Sequence, residues 1–165
     1  MSDKIKKENY PKPMSSTALV FWTGLFGGIF WGTIGYICSI FGLTEIRPNA
    51  ILEPGALGDW KNEWLGTLIS IVFMGVFSIV AAFVYYGVLK KWNGVWVGLI
   101  FGLVIFFLIF FILNPLFPSI KPLFDLSRDT IITSVCLYLM YGLFIGYSIS
   151  YEYEITKAKD KEAAS

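Results

Sequence analysis

The sequence predicts an all-α membrane protein, a bundle of four transmembrane helices with both termini in the cytoplasm. Three observations carry this. Four apolar runs, Thr17–Leu43, Leu65–Leu89, Gly94–Leu113 and Thr130–Tyr151, contain no charged residue, and each reaches the roughly 20 residues that cross a hydrocarbon core about 30 Å thick. Trp and Tyr gather near the ends of the runs, where amphipathic rings sit at head-group level. Lysines crowd the segments that one side of such a bundle would share, and basic residues in short loops mark the cytoplasmic face.

The first run is preceded by a Lys-rich segment, residues 1–16, with Pro11 and Pro13. It is too long for the 7–15-residue apolar core of a signal peptide, and no small-x-small cleavage site follows, so it reads as an uncleaved helix. Gly24, Gly28, Gly32, Gly35 and Ser39 recur along it at steps of three or four, which keeps them on one helical face. Small residues let helix backbones approach closely in lipid, where hydrophobicity supplies no drive to associate. The face therefore reads as a packing surface, either inside one bundle or against a second copy or another membrane protein. Trp31 lies mid-span, positioned to face lipid or to reach a Ser or Thr on a neighbouring helix.

The second run carries Gly66, Ser70, Ser78 and Ala82, and the turn Lys90-Lys91-Trp92-Asn93 leads into the third. Gly94, Gly98 and Gly102 on the third run, and Gly142 and Gly146 on the fourth, repeat the small-residue spacing. The helix-packing set is thus Gly24, Gly28, Gly32, Gly35, Gly98, Gly102, Gly142 and Gly146. The fourth run continues into a cytoplasmic tail, residues 152–165, of alternating Glu and Lys, whose i,i+4 pairs support a further two turns of helix.

With both tails and the Lys90 turn on one side, Lys4, Lys6, Lys7, Lys12, Lys90, Lys91, Lys157, Lys159 and Lys161 outnumber Arg47, Lys61, Lys121 and Arg128 on the other. Trp22, Tyr85, Tyr86, Trp92, Trp96, Tyr147 and Tyr151 would form the inner aromatic belt, with Trp60 and Trp64 at the outer edge. Two loops, residues 44–64 and 114–129, then lie outside. The first mixes Glu45, Arg47, Asn49, Glu53, Asp59 and Glu63 with Ile51, Leu52 and Leu57, and reads as folding back over the bundle mouth. The second holds Pro115, Pro118 and Pro122 among Leu116, Phe117, Ile120, Leu123 and Phe124; proline fixes φ and stiffens it into a crossover. Ser127 or Asp129 is placed to cap the last helix.

Composition narrows the function. The chain has no His, which removes imidazole triads, imidazole zinc sites and His proton shuttles. Its net charge of +1 gives no basic surface for nucleic acid. Cys38 and Cys136 lie within spans, where thiols serve as small apolar packing residues. No phosphate-binding, metalloprotease, EF-hand or nucleophile-elbow pattern occurs, so no catalytic, cofactor or metal residue is assigned. Charged residues within spans mark proton and ion paths, and here the search moves to the outer loops, with Arg47, Asn49, Glu53, Asp59 and Asn114 as candidate recognition residues. The leading expectation is a non-enzymatic subunit or accessory factor of a cell-envelope complex, with the bilayer and either a second copy or another membrane protein as partners. A transporter or channel component is the alternative, with Thr23, Thr33, Ser39, Ser70, Ser78, Ser134 and Tyr138 as its thin polar lining. A membrane enzyme using outer carboxylates such as Glu53 and Asp59 is the second alternative.

Four segments, FGGIFWGTIGY, PNAILEPGALGDWK, LNPLFPSIK and IITSVCLYLMYGLFIGYSISYEYE, resemble the YqhR family of bacterial membrane proteins over most of Val20–Glu154. The resemblance implies four spans and a plasma-membrane location in spore-forming Gram-positive bacteria. It brings no reaction, ligand or catalytic residue.

Overall fold

The computed structural model describes residues 15–52, 55, 58, 63–90, 92, 94–117 and 120–164, with side chains described as far as 157. The main helices are α1 (Ser16–Ile40), α2 (Trp64–Val88), α3 (Val95–Phe107) and α4 (Arg128–Ala164). All four apolar runs lie in helices long and apolar enough to cross a membrane. Among the described residues there is no strand.

The helices form two hairpins. α1 packs on α2 and α3 packs on α4, and the hairpins meet chiefly where α1 touches α4. Glycine decides both intimate seams. A Cβ added at Gly28 would stand 2.7 Å from the Gly75 Cα, and one at Gly24 would stand 2.8 Å from the Ile79 Cα. Across the other seam, a Cβ at Gly98 would stand 2.9 Å from the Gly142 carbonyl oxygen, and Gly102 meets the Tyr138 carbonyl as closely. Gly146 lies against the Gly98 Cα. Backbones this close gain dispersion contacts and exclude lipid, which is the available driving force in hydrocarbon. Gly27 meets Phe144 and Ile145 of α4, and Gly32 meets Met74 of α2. Gly35 makes only an ordinary contact with Leu137. The α1 glycine face is therefore occupied within the chain, and a second copy would have to use another surface. Gly75 was absent from the sequence-derived set; it lies out of step with Gly66 and Ser70 and becomes visible only opposite Gly28.

Two boundaries differ from those expected, and the fourth helix continues into the tail as expected. α1 stops at Ile40 rather than Leu43, because Gly42 takes φ +72°. Its N–H donates to the Ser39 carbonyl at 3.2 Å and that of Leu43 to the Cys38 carbonyl at 2.9 Å, a Schellman stop that glycine alone enters without strain. The third span runs to Leu116, but only its first part is α-helical. Leu108–Leu113 widens to a π-helix and Asn114–Leu116 tightens to a 3₁₀ turn. Pro115 explains this, since it has no N–H for the carbonyl one turn back and its ring crowds that turn. α4 has 37 residues, which at 1.5 Å each is about 55 Å. It extends well beyond a hydrocarbon core and carries residues 152–164 as continuous helix.

The interior is built around Val20, Ala82, Tyr85, Phe101, Tyr141, Ile145 and Ile149. Tyr85 is fully buried and so belongs to this core, not to the aromatic belt. Its ring meets Phe101 edge-on at 5.0 Å and its hydroxyl shares a 3.1 Å hydrogen bond with Ser150. Phenol and hydroxyl satisfy each other where water is absent. Trp22, Trp92, Trp96, Tyr147 and Tyr151 are exposed, as is Trp64 at the opposite end; Trp60 lies outside the described residues. Trp31 takes neither expected course. It packs against the core and buries its indole N–H without a hydrogen-bond partner among the described residues.

Adding one methyl group will separate tight from loose glycines. Gly28→Ala and Gly98→Ala should each destabilise the bundle by about 1–3 kcal/mol through overpacking, read as a lower unfolding midpoint in detergent. Gly87, with nothing within 4 Å of an added Cβ, should be neutral or gain about 0.5–1 kcal/mol as alanine. Equal shifts at all three positions would refute the seam assignment.

Candidate functional site

The two longer loops share one end of the bundle, and Glu45 joins them. Its backbone N–H donates to the Thr130 hydroxyl at 2.9 Å, and its carboxylate accepts from the Lys121 ammonium at 3.0 Å. Thr130 is almost wholly buried in the first turn of α4. Ser127 caps that turn: its hydroxyl accepts from the Thr130 N–H at 3.3 Å and donates to the Thr130 hydroxyl at 2.9 Å. An unpaired N–H at a helix start thus gains a partner, and the same pair fixes the first loop to the second hairpin.

The first loop turns on a 3₁₀ segment, Pro48–Leu52, which packs on α2. Asn49 is buried there and accepts a 2.9 Å hydrogen bond from the Thr67 hydroxyl. Asn114 donates to the carbonyls of Ile120 and Lys121 at 3.3 Å each and so shapes the second loop. Beneath it, Leu126, Phe106 and Phe110 form a separate core, with Ile46, Ile120, Leu123 and Tyr138 against it. Ile120 and Leu123, two of the apolar residues that make the second loop unlike a solvated linker, therefore belong to its floor, whereas Leu116 and Phe124 are exposed.

Of the five candidate recognition residues, Arg47 is exposed, whereas Asn49 and Asn114 hold loop structure. Glu53 and Asp59 lie outside the described residues. Thr67 and Thr130 were not singled out from sequence. Both sit at the start of an apolar run, where a threonine reads as part of the span; their only signal is their place in the first helical turn, beside a loop.

The Lys121 ammonium lowers the Glu45 pKa below its ordinary 4.5, and Ser127 adds to the effect. The carboxylate is thus a stable anion near neutral pH. Among the described residues, no group of three or more His, Cys, Asp or Glu side chains could hold a metal ion. Cys38 and Cys136 are free thiols, and Cys136 faces outward.

Inside the bundle, four of the candidate lining hydroxyls have hydrogen-bond partners within the chain. Ser78 and Tyr141 share a 2.7 Å hydrogen bond between α2 and α4. Thr33, Ser39 and Ser70 donate to the carbonyls of Ile29, Tyr36 and Gly66, each at 2.7 Å.

With this geometry, the chain was compared with known proteins. A family described as conserved membrane protein YqhR matches residues 1–164. The chain belongs to the YqhR family. It is 49% identical over 146 residues to the uncharacterized protein YqhR of Bacillus subtilis (strain 168), covering 88% of this chain and 82% of that one. No solved structure matches it. The YqhR family is thus shown as a family of membrane proteins, and the resemblance read from four segments extends over nearly the whole chain.

Two measurements follow. In a double-mutant cycle of Ser78→Ala and Tyr141→Phe, the coupling should be about 0.6–1.7 kcal/mol, the range for hydrogen bonds between membrane helices; zero coupling would show that the pair does not hold α2 to α4. The Glu45 pKa is lowered by folding, so its stabilising effect is present above 4.5 and is lost as pH falls through the lower folded value. Amide exchange at residues 44–47 should accelerate only in that acidic window. Lys121→Gln should abolish the acceleration, and an unchanged profile would exclude the ion pair as the fastener.

Proposed function

We propose that this protein works by binding, as a non-enzymatic subunit or accessory factor of a cell-envelope complex in the plasma membrane, with both termini in the cytoplasm. One observation carries the reading. The loop end is fastened by hydroxyl and amide groups, yet it leaves the aromatic ring of Phe124 88% exposed, on loops that also expose Arg47, Arg128 and Asp129. Aromatic and Arg side chains on a rigid support are the residue types that anchor protein interfaces. The interior supports this reading over transport, because the hydroxyls of Thr33, Ser39, Ser70 and Ser78 are spent on helix carbonyls and on Tyr141. The lysine asymmetry supports the orientation, with the loop end outside.

Isolation from native membranes in mild detergent should recover the chain with a partner or as a homo-oligomer. Arg47→Glu combined with Phe124→Ser should release it while leaving the melting profile intact. Recovery of wild type only as a monomer would overturn the proposal. So would labelling of several mid-span cysteine replacements by water-soluble thiol reagents, which favours a transport path. A fluorescent reporter that matures only in the cytoplasm should be bright at the C-terminus.

A further inference from the structure

The two hairpins are tight within themselves and unevenly joined to each other. Their shared apolar core sets Val20, Ala82 and Tyr85 of the first against Phe101, Ile145 and Ile149 of the second, with Tyr141 at its mid-span edge. All of these lie between mid-span and the Lys90 turn. The fit loosens in the other direction. A Cβ added at Gly146 would stand 3.1 Å from the Tyr85 hydroxyl, and one at Gly27 would stand 3.1 Å from the Phe144 ring, but one at Gly35 reaches only Leu137, at 3.9 Å. The turn end is braced as well as covalently joined. Lys90 holds its ammonium 4.2 Å from the centroid of the Tyr86 ring on α2 and 5.4 Å from that of Tyr153 on α4, and aromatic faces attract such a cation.

The loop end is built differently. Its core, Phe106, Phe110 and Leu126, belongs wholly to the second hairpin. Among the described residues packed against that core, only Ile46 comes from the first. Ile46 follows Glu45, so one short strap, residues 44–46, supplies both the apolar contact and the polar ones, to Thr130 and Lys121. A part-buried hydrogen bond, an exposed ion pair and one apolar side chain are each modest contributions. The glycine seams inside the hairpins are backbone against backbone and part far less readily.

We infer that the hairpins are two rigid bodies hinged at the Lys90 turn and held shut at the far end by residues 44–46, so that the bundle opens between α1 and α4 at the loop end when this strap lets go. Hinges of this kind concentrate the change in a few residues where elements end. Here those are Leu89, the last position of α2, and Gly94, the first of α3. Opening tears no core. The shared one lies beside the hinge, and the loop-end core travels with the second hairpin and loses only Ile46. A rotation of about 10° along a 25-residue helix, about 37 Å long, separates the loop ends by about 6 Å. The motion belongs to the isolated chain and stands apart from the binding role proposed above.

Distances between paired spin labels can be measured by double electron–electron resonance on the full-length protein in lipid nanodiscs, with Cys38→Ser and Cys136→Ala as background. Ile40→Cys with Ile132→Cys spans the hairpins at the loop end, Val88→Cys with Tyr147→Cys spans them at the turn end, and Ile40→Cys with Leu68→Cys lies within the first hairpin; all five positions are exposed. Thr130→Val combined with Lys121→Gln removes the polar half of the strap. The loop-end pair should then gain a component about 6 Å longer, populated about fivefold or more above the unmutated strap, the weight of one hydrogen bond. Thr130→Ser with Lys121 intact keeps the hydroxyl and should match the unmutated strap. The turn-end and within-hairpin distances should stay as they were. A loop-end distribution unmoved by the double substitution would overturn the inference. So would lengthening of the turn-end or within-hairpin pair, which would show that the hairpins neither pivot at the turn nor move as units.

Discussion

Direct backbone contact across two glycine seams is the constraint on which the rest of the structure depends. Hydrocarbon gives these helices no hydrophobic reason to associate, so their pairing rests on van der Waals contact and a few hydrogen bonds. The Gly24–Gly28 seam with Ile79 and Gly75, and the Gly98–Gly102 seam with Gly142 and Tyr138, bring the axes close enough for that contact. The seams also set register. Only with α4 fixed against α3 at Gly98 does Gly146 lie beside the Tyr85 hydroxyl, and one turn further Ser150 meets that hydroxyl.

Each seam belongs to a hairpin, and each hairpin closes through one of the longer loops. This arrangement explains the construction of the loop end. The short turn after α2 joins the hairpins on one side of the bundle, and nothing covalent joins them on the other. Glu45 supplies that link: it leaves the first hairpin and is held by Thr130 and Lys121 of the second. The Thr130 contact is part-buried, on a threonine that is itself almost wholly buried, and makes the stronger part of the link. The ion pair is exposed, with side chains 61% and 41% accessible for Lys121 and Glu45, and surface pairs of this kind contribute little on their own.

The spans were legible because hydrophobic length and lack of charge are local properties of a run of residues. The glycine periodicity was legible for the same reason. Its use was not: Gly28 could equally have met another chain, and only the fold pairs it with Gly75 of α2. The end of α1 was signalled by Gly42, but a glycine within an apolar run reads as packing unless its φ is known. The π-helical stretch traces to Pro115, which was visible, although the carbonyls it disturbs belong to the preceding turn. Tyr85 was misplaced in the aromatic belt because its neighbour Tyr86 does belong near head groups; adjacent helical positions point about 100° apart, and Ser150 waits on the inner side. At the candidate site, Glu45 and Lys121 are far apart in sequence, and no short-range pattern connects them.

The absence of charge in the spans has a further consequence for how the protein can respond to its surroundings. Membrane potential does about 2.3 kcal/mol of work per elementary charge moved through 100 mV, and these spans carry no side-chain charge for it to move. Their buried polar contacts are hydroxyl pairs such as Ser78–Tyr141 and Tyr85–Ser150, which fix register. The ion pair among the described residues lies outside the spans, in the Glu45–Lys121 fastening of the loop end. Spans without charge, pinned in register by hydroxyl pairs, support the proposed binding role over a path for ions, which charged residues within spans would mark.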